Sequence, residues 1–334
     1  MRFIPIDQTR KDEWEHLVKN NEASGFMQSF FWAEFRNMLG WETYKIGIEK
    51  SGKLIGGAII AKYSHYPYGN FLSIAEGPVI PYGAPLAKQI FHRFIQEVDA
   101  IADLSGDYRS SHLSIEPKLH TAPSYFFRFV KSPTDQQPFR TLFINLAQSE
   151  KEILTQMKPK GRYNIGVAQK HGVTVVEKNI IDGIKDFVSL YHEFVDRMKF
   201  TAKDDTYFNC LALVLQKEGN ASVYHAMHQG KILSSAIVID YGTMTTYLFG
   251  ASSDAKPSVM APYLLHWEIV RAAKKRKQKW YDFYSLVPDQ NDTSHPWYGY
   301  SQFKLKFGGV VKQYVGAYDF IYNAQLYKKY LAIT

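Results

Sequence analysis

Two stretches decide how this chain reads: EKSGKLIGGAII, Glu49 to Ile60, and MHQGKILSSAIV, Met227 to Val238. Each sets a Gly-Lys pair between two apolar runs, the pattern of a tight hairpin between strands. They stand 178 residues apart. At nearly the same offset, APLAKQIFHRFI from Ala84 matches APYLLHWEIVRA from Ala261, both with helical apolar spacing. Upstream of each hairpin, FFWAEFRNMLGW (30–41) and YFNCLALVLQKEG (207–219) are aromatic-led helices running into a glycine. Chance likeness between ordinary helices and hairpins is the competing account. One shared order at one offset argues instead for an internal repeat.

Worked outward, the periodicity predicts helices over about 9–20, 29–39 and 84–104, and strands over 42–49, 54–63, 70–76 and 111–116. A loop rich in Pro, Ser and Asp leads to a strand near 139–145. A second unit follows: helices over 149–157 and 160–171, a strand over 173–178, helices over 182–198 and 205–218, strands over 221–228, 232–239 and 244–251, a helix over 261–277 and a strand over 280–284. This is a mixed α/β pattern used twice, with a boundary near 146–150. The order helix, helix, hairpin, strand, helix, strand is that of an N-acetyltransferase-type fold, here in tandem.

The chain has 334 residues, enough for two cores, and its 46% hydrophobic and 15% aromatic content is globular. The single cysteine, Cys210, excludes an internal disulfide framework and suits a reducing compartment. The opening MRFIPIDQTRKDEWEHLV has charges every few residues and no apolar segment, unlike a signal peptide or an anchor. No apolar run approaches the ~18 residues of a membrane span, so the expected location is the cytoplasm. The net charge of +8 is uneven: residues 1–150 carry 16 basic and 16 acidic side chains, residues 151–334 carry 24 and 16. A basic half beside a neutral half fits contact with a polyanion, and equally a soluble basic surface.

An acetyl-CoA site of this fold needs a Gly-rich turn whose N–H groups meet the pyrophosphate. The turns before the two repeated helices read GPVIPYGAP (77–85) and SSDAKPSVMAP (252–262), with proline where donors belong. The acyl donor is therefore not expected to be acetyl-CoA. Walker, HExxH, CxxC and GxSxG motifs are absent, and the eleven histidines lack metal-ligand spacing. His92 and His266, within helices, read as structural or exposed. No metal and no cofactor is expected. Lys158, Lys160 and Arg162 lie on one basic helix, and Lys274, Lys275 and Arg276 close another. They are the candidates for RNA phosphates, although a solvated face and a helix C-terminus also favour such runs. In SQFKLKFGG (301–309), Lys304 stands between Phe303, Leu305 and Phe307. By itself this fits a lysine at a sheet edge with its stem on apolar surface. An extended backbone would put Lys306 on the same face as Lys304, two residues along.

Results

Sequence analysis

Two stretches decide how this chain reads: EKSGKLIGGAII, Glu49 to Ile60, and MHQGKILSSAIV, Met227 to Val238. Each sets a Gly-Lys pair between two apolar runs, the pattern of a tight hairpin between strands. They stand 178 residues apart. At nearly the same offset, APLAKQIFHRFI from Ala84 matches APYLLHWEIVRA from Ala261, both with helical apolar spacing. Upstream of each hairpin, FFWAEFRNMLGW (30–41) and YFNCLALVLQKEG (207–219) are aromatic-led helices running into a glycine. Chance likeness between ordinary helices and hairpins is the competing account. One shared order at one offset argues instead for an internal repeat.

Worked outward, the periodicity predicts helices over about 9–20, 29–39 and 84–104, and strands over 42–49, 54–63, 70–76 and 111–116. A loop rich in Pro, Ser and Asp leads to a strand near 139–145. The second unit opens with helices over 149–157 and 160–171, a strand over 173–178, and helices over 182–198 and 205–218. Strands over 221–228, 232–239 and 244–251, a helix over 261–277 and a strand over 280–284 complete it. This is a mixed α/β pattern used twice, with a boundary near 146–150. The order helix, helix, hairpin, strand, helix, strand is that of an N-acetyltransferase-type fold, here in tandem.

The chain has 334 residues, enough for two cores, and its 46% hydrophobic and 15% aromatic content is globular. The single cysteine, Cys210, excludes an internal disulfide framework and suits a reducing compartment. The opening MRFIPIDQTRKDEWEHLV has charges every few residues and no apolar segment, unlike a signal peptide or an anchor. No apolar run approaches the ~18 residues of a membrane span, so the expected location is cytoplasmic. The net charge of +8 is uneven: residues 1–150 carry 16 basic and 16 acidic side chains, residues 151–334 carry 24 and 16. A basic half beside a neutral half fits contact with a polyanion, and equally a merely soluble basic surface.

An acetyl-CoA site of this fold needs a Gly-rich turn whose N–H groups meet the pyrophosphate. The turns before the two repeated helices read GPVIPYGAP (77–85) and SSDAKPSVMAP (252–262), with proline where donors belong. The acyl donor is therefore not expected to be acetyl-CoA. Walker, HExxH, CxxC and GxSxG motifs are absent, and the eleven histidines lack metal-ligand spacing, so no metal is expected. His92 and His266, within helices, read as structural or exposed. Lys158, Lys160 and Arg162 lie on one basic helix, and Lys274, Lys275 and Arg276 close another. These six are the candidates for RNA phosphates, although a solvated face and a helix C-terminus also favour such runs. In SQFKLKFGG (301–309), Lys304 stands between Phe303, Leu305 and Phe307. By itself this fits a lysine at a sheet edge with its stem on apolar surface.

The stretches QSFFWAEFRNMLGW, SIAEGPVIPYG, SIEP, KPKGRYNIGVAQKHGV, APYLLHWEIVRAA, WYDFYSL and GYSQFKLKFGGVVKQYVGAYDFIYN follow one another in the order seen in Fem proteins, which the chain resembles over nearly its whole length. The most specific part is FK-x-x-F followed by Y-x-G-x-x-D. Fem proteins are aminoacyl-tRNA-dependent transferases that build the interpeptide bridge of peptidoglycan. The resemblance implies two acetyltransferase-like domains, over 1–148 and 149–312, with the segment from 313 returning to the first. No heptad insertion is visible, so the chain is more similar to the short FemX type than to FemA or FemB.

What the resemblance implies for the site is specific. Phe303 and Lys304 match the pair at the reacting ester, where Lys304 would stabilise the developing oxyanion within a frame made by Phe303, Leu305 and Phe307. Arg36 and Lys203 match cations on the acceptor's diphosphate, with lysine and arginine exchanged. Thr201, Tyr207 and Tyr247 match further substrate-pocket positions, and Glu116 an acidic one that would orient the attacking amine. A core-edge role for Glu116 stays equally open. Tyr284-Ser285 stands where the family usually has Gly-Gly. The implied partners are aminoacyl-tRNA as co-substrate, with no other cofactor, and UDP-MurNAc-pentapeptide or lipid II as acceptor. A monomer with a peripheral membrane contact is expected. Two alternatives stand beside this: an N-acyltransferase using another activated donor, and a non-catalytic RNA-binding module.

Overall fold

Residues 1–64, 69–103, 109–199 and 201–332 are described by the computed structural model. Leu104, the expected end of the third helix, lies outside them. The strands of the first half are β1 (Arg2–Pro5), β2 (Glu42–Lys50), β3 (Lys53–Ser64), β4 (Asn70–Ala75), β5 (Ser110–Glu116), β6 (Val130–Lys131) and β7 (Arg140–Asn145). Those of the second are β8 (Thr174–Asn179), β9 (Ala221–His228), β10 (Lys231–Tyr241), β11 (Met244–Ser252), β12 (Trp280–Asp282), β13 (Val310–Gln313) and β14 (Tyr318–Ile321). The helices are α1 (Lys11–Lys19), α2 (Phe30–Met38), α3 (Ala87–Asp99), α4 (Glu150–Gln156) and α5 (Pro159–Lys170), then α6 (Ile180–Met198), α7 (Asp205–Glu218), α8 (Ala261–Lys275), α9 (Tyr298–Lys304) and α10 (Ala324–Leu331).

Both quoted hairpins form, and their turns repeat each other in detail. Ser51-Gly52 joins β2 to β3 and Gln229-Gly230 joins β9 to β10, with positive φ at all four residues. Two successive left-handed residues match the twist of the flanking strands, and glycine at the second costs no steric strain.

The chain divides into two compact units, Met1–Phe139 with Gln313–Thr334, and Arg140–Lys312. The expected boundary at 148/149 is thus too late. The strand over 140–145 pairs antiparallel with β12, so it opens the second unit instead of closing the first. One sheet runs β1-β2-β3-β4-β5-β14-β6 and the other β13-β7-β12-β11-β10-β9-β8. Read from β8, the second repeats the first strand for strand, including one parallel pair in each, β4 with β5 and β11 with β12. In the first sheet β14, from the end of the chain, takes the place that β7 takes in the second.

In the first unit, one sheet face carries Ile60, Leu72, Ile74, Leu113 and Ile115 and packs on Ile90, Phe91, Phe94 and Val98 of α3. Fully burying each such side chain contributes about 1.5–3 kcal/mol. The opposite face carries Ser73, Ser114, Glu116 and Asp319, in register. In the second unit α8 and α5 cover one face through Leu264, Trp267, Val270, Ile165 and Ala168, and α6 and α7 cover the other. A bulge in β11 is decisive for the site. Val238 pairs with Tyr247 but Ile237 pairs with Phe249, so Leu248 is extra. The extra residue reverses the alternation, and Tyr247 and Phe249 face opposite sides. Among the described residues, no helix is long and apolar enough to cross a membrane.

Candidate active site

Tyr247, on the α8 side of the bulge, looks at the side chain that the sequence singled out. Lys304 ends α9, and a 3-10 turn over Leu305–Phe307 follows. The stretch is helical, not an edge strand. Helical spacing places Tyr300 and Lys304 on one side and Phe303 and Phe307 on another. Lys304 is 2% exposed. Its ammonium donates to the carbonyl oxygens of Phe283 (2.7 Å) and Ser285 (2.8 Å) and to Ser285 Oγ (3.2 Å). The rings of Tyr300 and Tyr247 flank it at 4.4 and 5.2 Å. The frame of Phe303, Leu305 and Phe307 lies elsewhere. Phe303 packs on Tyr263 and His266, and Phe307 on Phe283, forming an aromatic wall toward α8. Phe303 therefore supports the wall, and the ammonium's immediate surroundings are carbonyls, a hydroxyl and two phenols.

The acceptors are held by a tight turn after β12. Asp282, buried, takes the N–H of Tyr284 (2.7 Å) and the hydroxyl of Thr141. Tyr284 has φ +69°, a left-handed conformation that glycine adopts freely and tyrosine does not. Ser301 Oγ accepts from Val287 N (2.8 Å) and fastens α9 to the outgoing segment. Burial pushes the Lys304 ammonium down to about 7, with the Asp282 carboxylate pulling upward. His266 is buried and its Nδ1 meets Tyr281 Oη (2.7 Å). Burial, then the Lys304 charge, lowers it to about 3, so it is neutral. Burial also raises Tyr247 and Tyr300.

The other expected site residues are spread more widely. Lys203 lies over the Tyr207 ring at 5.3 Å, and Tyr207 packs on Phe249, so this pair sits on the sheet face opposite Tyr247. Thr201 is exposed in the preceding loop. Arg36 and Glu116 belong to the first unit. Arg36 stacks on Trp41 (4.3 Å) and lines a small pocket with Trp32, Thr43, Ser73 and Ala75. Glu116 is on that same sheet face, opposite Ala75. Its Oε1 accepts from the backbone N–H groups of Gln136 and Gln137 at 2.8 and 2.9 Å, and its Oε2 has no hydrogen-bond partner. Burial pushes its carboxyl up to about 8.

Three of the six basic candidates are occupied structurally. Arg162 donates to the carbonyls of Leu154, Thr155 and Met157 and so caps α4. Lys274 donates to those of Leu146 and Gln148, and Arg276 pairs with Asp240. Lys158, Lys160 and Lys275 are exposed. The first of these also ties the basic helix to the lysine segment: Lys158 N donates to Lys306 O at 3.0 Å, and a Cβ on Gly161 would stand 2.5 Å from that oxygen. Only glycine allows α5 to approach so closely. Sequence reasoning missed Tyr300, Ser285 and Asp282. Tyr300 was open to discovery through its four-residue spacing from Lys304. His266 and His92 are structural as expected, His266 buried and His92 facing Tyr125 O at 3.4 Å.

The FemAB family profile matches residues 9–123, 128–218 and 214–334. This chain belongs to the FemAB family. A lipid II:glycine glycyltransferase of Staphylococcus aureus (strain MRSA252) is 21% identical over 95% of this chain and 92% of its own length. A crystal structure of FemX superposes with a TM-score of 0.84 at 19% identity, over 98% of this chain and 99% of that one. A tandem GNAT protein from the clavulanic acid biosynthesis pathway superposes at 0.55 and 10% identity, over 96% and 98%. The mixed α/β architecture with two acetyltransferase-like units is therefore that of the FemAB fold, and Pro262, in the first turn of α8, removes an N–H that a pyrophosphate would need.

Proposed function

We propose that this FemAB protein transfers an amino acid from an aminoacyl-tRNA to an amine on the stem peptide of a peptidoglycan precursor, as in interpeptide-bridge formation. The observation that carries the reading is the Lys304 ammonium, buried among oxygens and phenol rings on a segment to which the basic helix α5 is hydrogen-bonded. Family membership and the glycyltransferase named among its relatives support the acceptor class. The exposed Lys158, Lys160 and Lys275 support an RNA donor.

In this reaction the neutral amine nitrogen attacks the ester carbonyl carbon and a C–N bond forms. The carbonyl oxygen takes the electron pair and becomes negative. On collapse the C–O bond to the terminal ribose breaks, and the departing oxygen takes up the proton that nitrogen gives up. Lys304 stabilises the negative oxygen, and its low-exposure setting strengthens that interaction relative to water. The test is to incubate the protein with a charged tRNA pool and nucleotide-linked or lipid-linked muropeptide and to weigh the product. Ribonuclease treatment of the tRNA should abolish the mass gain. Transfer from acetyl-CoA alone would overturn the donor assignment.

A further inference from the structure

The Lys304 ammonium has three N–H donors, and all three are engaged within the protein. A substrate oxygen can gain a donor only by displacing one of these contacts. The carbonyls of Phe283 and Ser285 hold the shorter bonds, and their turn is fixed by Asp282 on Tyr284 N and by Ser285 N on Phe283 O at 2.9 Å. Ser285 Oγ holds the longest, at 3.2 Å, and has a second partner in the Tyr300 hydroxyl. It alone can release the ammonium and still be hydrogen-bonded. A buried acceptor with no other partner could not be released so cheaply.

Resting on the function proposed above, we infer that Ser285 is a positioning residue whose hydroxyl holds the place of the substrate's ester carbonyl oxygen on Lys304. In the free protein the hydroxyl occupies the third donor and keeps the ammonium aimed. When the ester arrives its carbonyl oxygen takes that donor, and the serine hydroxyl stays with Tyr300. Ser285 thus contributes through Lys304 and does not touch the reacting carbon. This serine is part of the pair that replaces the family's usual Gly-Gly.

The titratable groups around the ammonium are Tyr247 from β11, Asp282 from β12, His266 from α8 with Tyr281 behind it, and Tyr300 from α9. Of these, removing the serine hydroxyl alters only the contacts of Tyr300 and Lys304. The test compares the full-length protein with Ser285→Ala and Ser285→Thr, using ¹³Cε-lysine labelling and a Lys304→Met sample to assign the resonance. The probe is an acceptor-stem RNA minihelix carrying glycine through a stable 3′-amide. In free Ser285→Ala the Lys304 titration should move to lower pH, because the charged form has lost an acceptor. Ser285→Thr, which keeps the hydroxyl, should titrate like the parent. With the minihelix bound, the parent and Ser285→Ala should titrate alike, because the amide oxygen now fills the third donor in both. Ser285→Ala should also bind the minihelix about 2- to 10-fold more tightly, the range of one net hydrogen bond. Unchanged titration in the free variant would overturn the inference. So would a difference between parent and variant that persists in the complex. Failure of the parent to bind the minihelix would instead overturn the donor reading, and this assignment with it.

Discussion

Replacing Lys304 by methionine keeps the length of the side chain and removes its charge and its three donors. Two energetic consequences oppose each other. The ammonium titrates near 7 in the folded protein and near its ordinary 10.5 when unfolded. At ~1.36 kcal/mol per pH unit, that gap makes burying the charge cost about 5 kcal/mol at low pH. Methionine removes this cost. It also leaves the carbonyls of Phe283 and Ser285 without their donor, at about 1–3 kcal/mol each. At pH 7 the two effects are similar in size, and Lys304→Met should change stability little. The balance depends on pH. Between about 7 and 10.5 the unfolded chain keeps the proton that the folded protein has lost, so the parent gains stability as pH rises. Relative to Lys304→Met it should gain about 2 kcal/mol between pH 7 and 9. Activity should behave differently, with kcat falling by ~10²–10³ as for loss of an oxyanion donor. Lys306→Ala, which loses only a 3.2 Å contact to Tyr263 Oη, should stay within about threefold by the scale of one net hydrogen bond. Urea unfolding at the two pH values and initial transfer rates measure both effects. A rate for Lys304→Met near that of Lys306→Ala would refute the catalytic role. A stability gap that is the same at pH 7 and 9 would refute the buried-charge argument.

Glu116 is protonated up to about 8 when folded but only to about 4.5 when unfolded, so the folded protein binds the extra proton between those values. Stability should fall as pH rises through that window and level off above it, by up to ~1.4 kcal/mol per pH unit, and unfolding of Glu116→Gln should lack this slope. Arg36→Gln and Lys203→Gln should each raise the acceptor's KM about tenfold with little loss of kcat, since a remote phosphate is held alike in ground and transition states; steady-state kinetics showing unchanged KM in both would remove them from the site. Converting Lys158, Lys160 and Lys275 together to glutamine should flatten the plot of log affinity for tRNA against log salt by about 2 to 3, as loss of three phosphate contacts requires, and filter binding across a salt series would show it.

The hairpins, α7 and the β9 strand were legible in the sequence because local periodicity and turn chemistry define them. The unit boundary was not. Arg140–Asn145 reads as a strand anywhere, and its partner β12 lies about 135 residues further on. At SQFKLKF the alternation of Phe303, Leu305 and Phe307 imitates a strand, yet the segment is helix and then 3-10 turn. Packing of Phe303 and Phe307 on Tyr263 and His266 decides between the two periods. Lys304 and Tyr247 were anticipated. The oxygens that hold Lys304 were not, because two are backbone carbonyls and carry no residue signature. The departure at Tyr284-Ser285 was visible as a difference in composition, but the left-handed turn that gives it meaning was not.

The first sheet is completed by β14, and this sets a timetable for synthesis. The edge of β5 that β14 will cover ends at Glu116, and its partner begins at Tyr318. About 200 residues must be made in between, which takes on the order of 10–40 s at ~5–20 residues per second. Throughout that interval the nascent first unit presents an open strand edge, the feature through which sheets pair with the wrong chain. The second unit is contiguous and gathers its strands without waiting for the end of the chain. A ribosome stalled near residue 316 would therefore hold a closed second sheet and an unsealed first one.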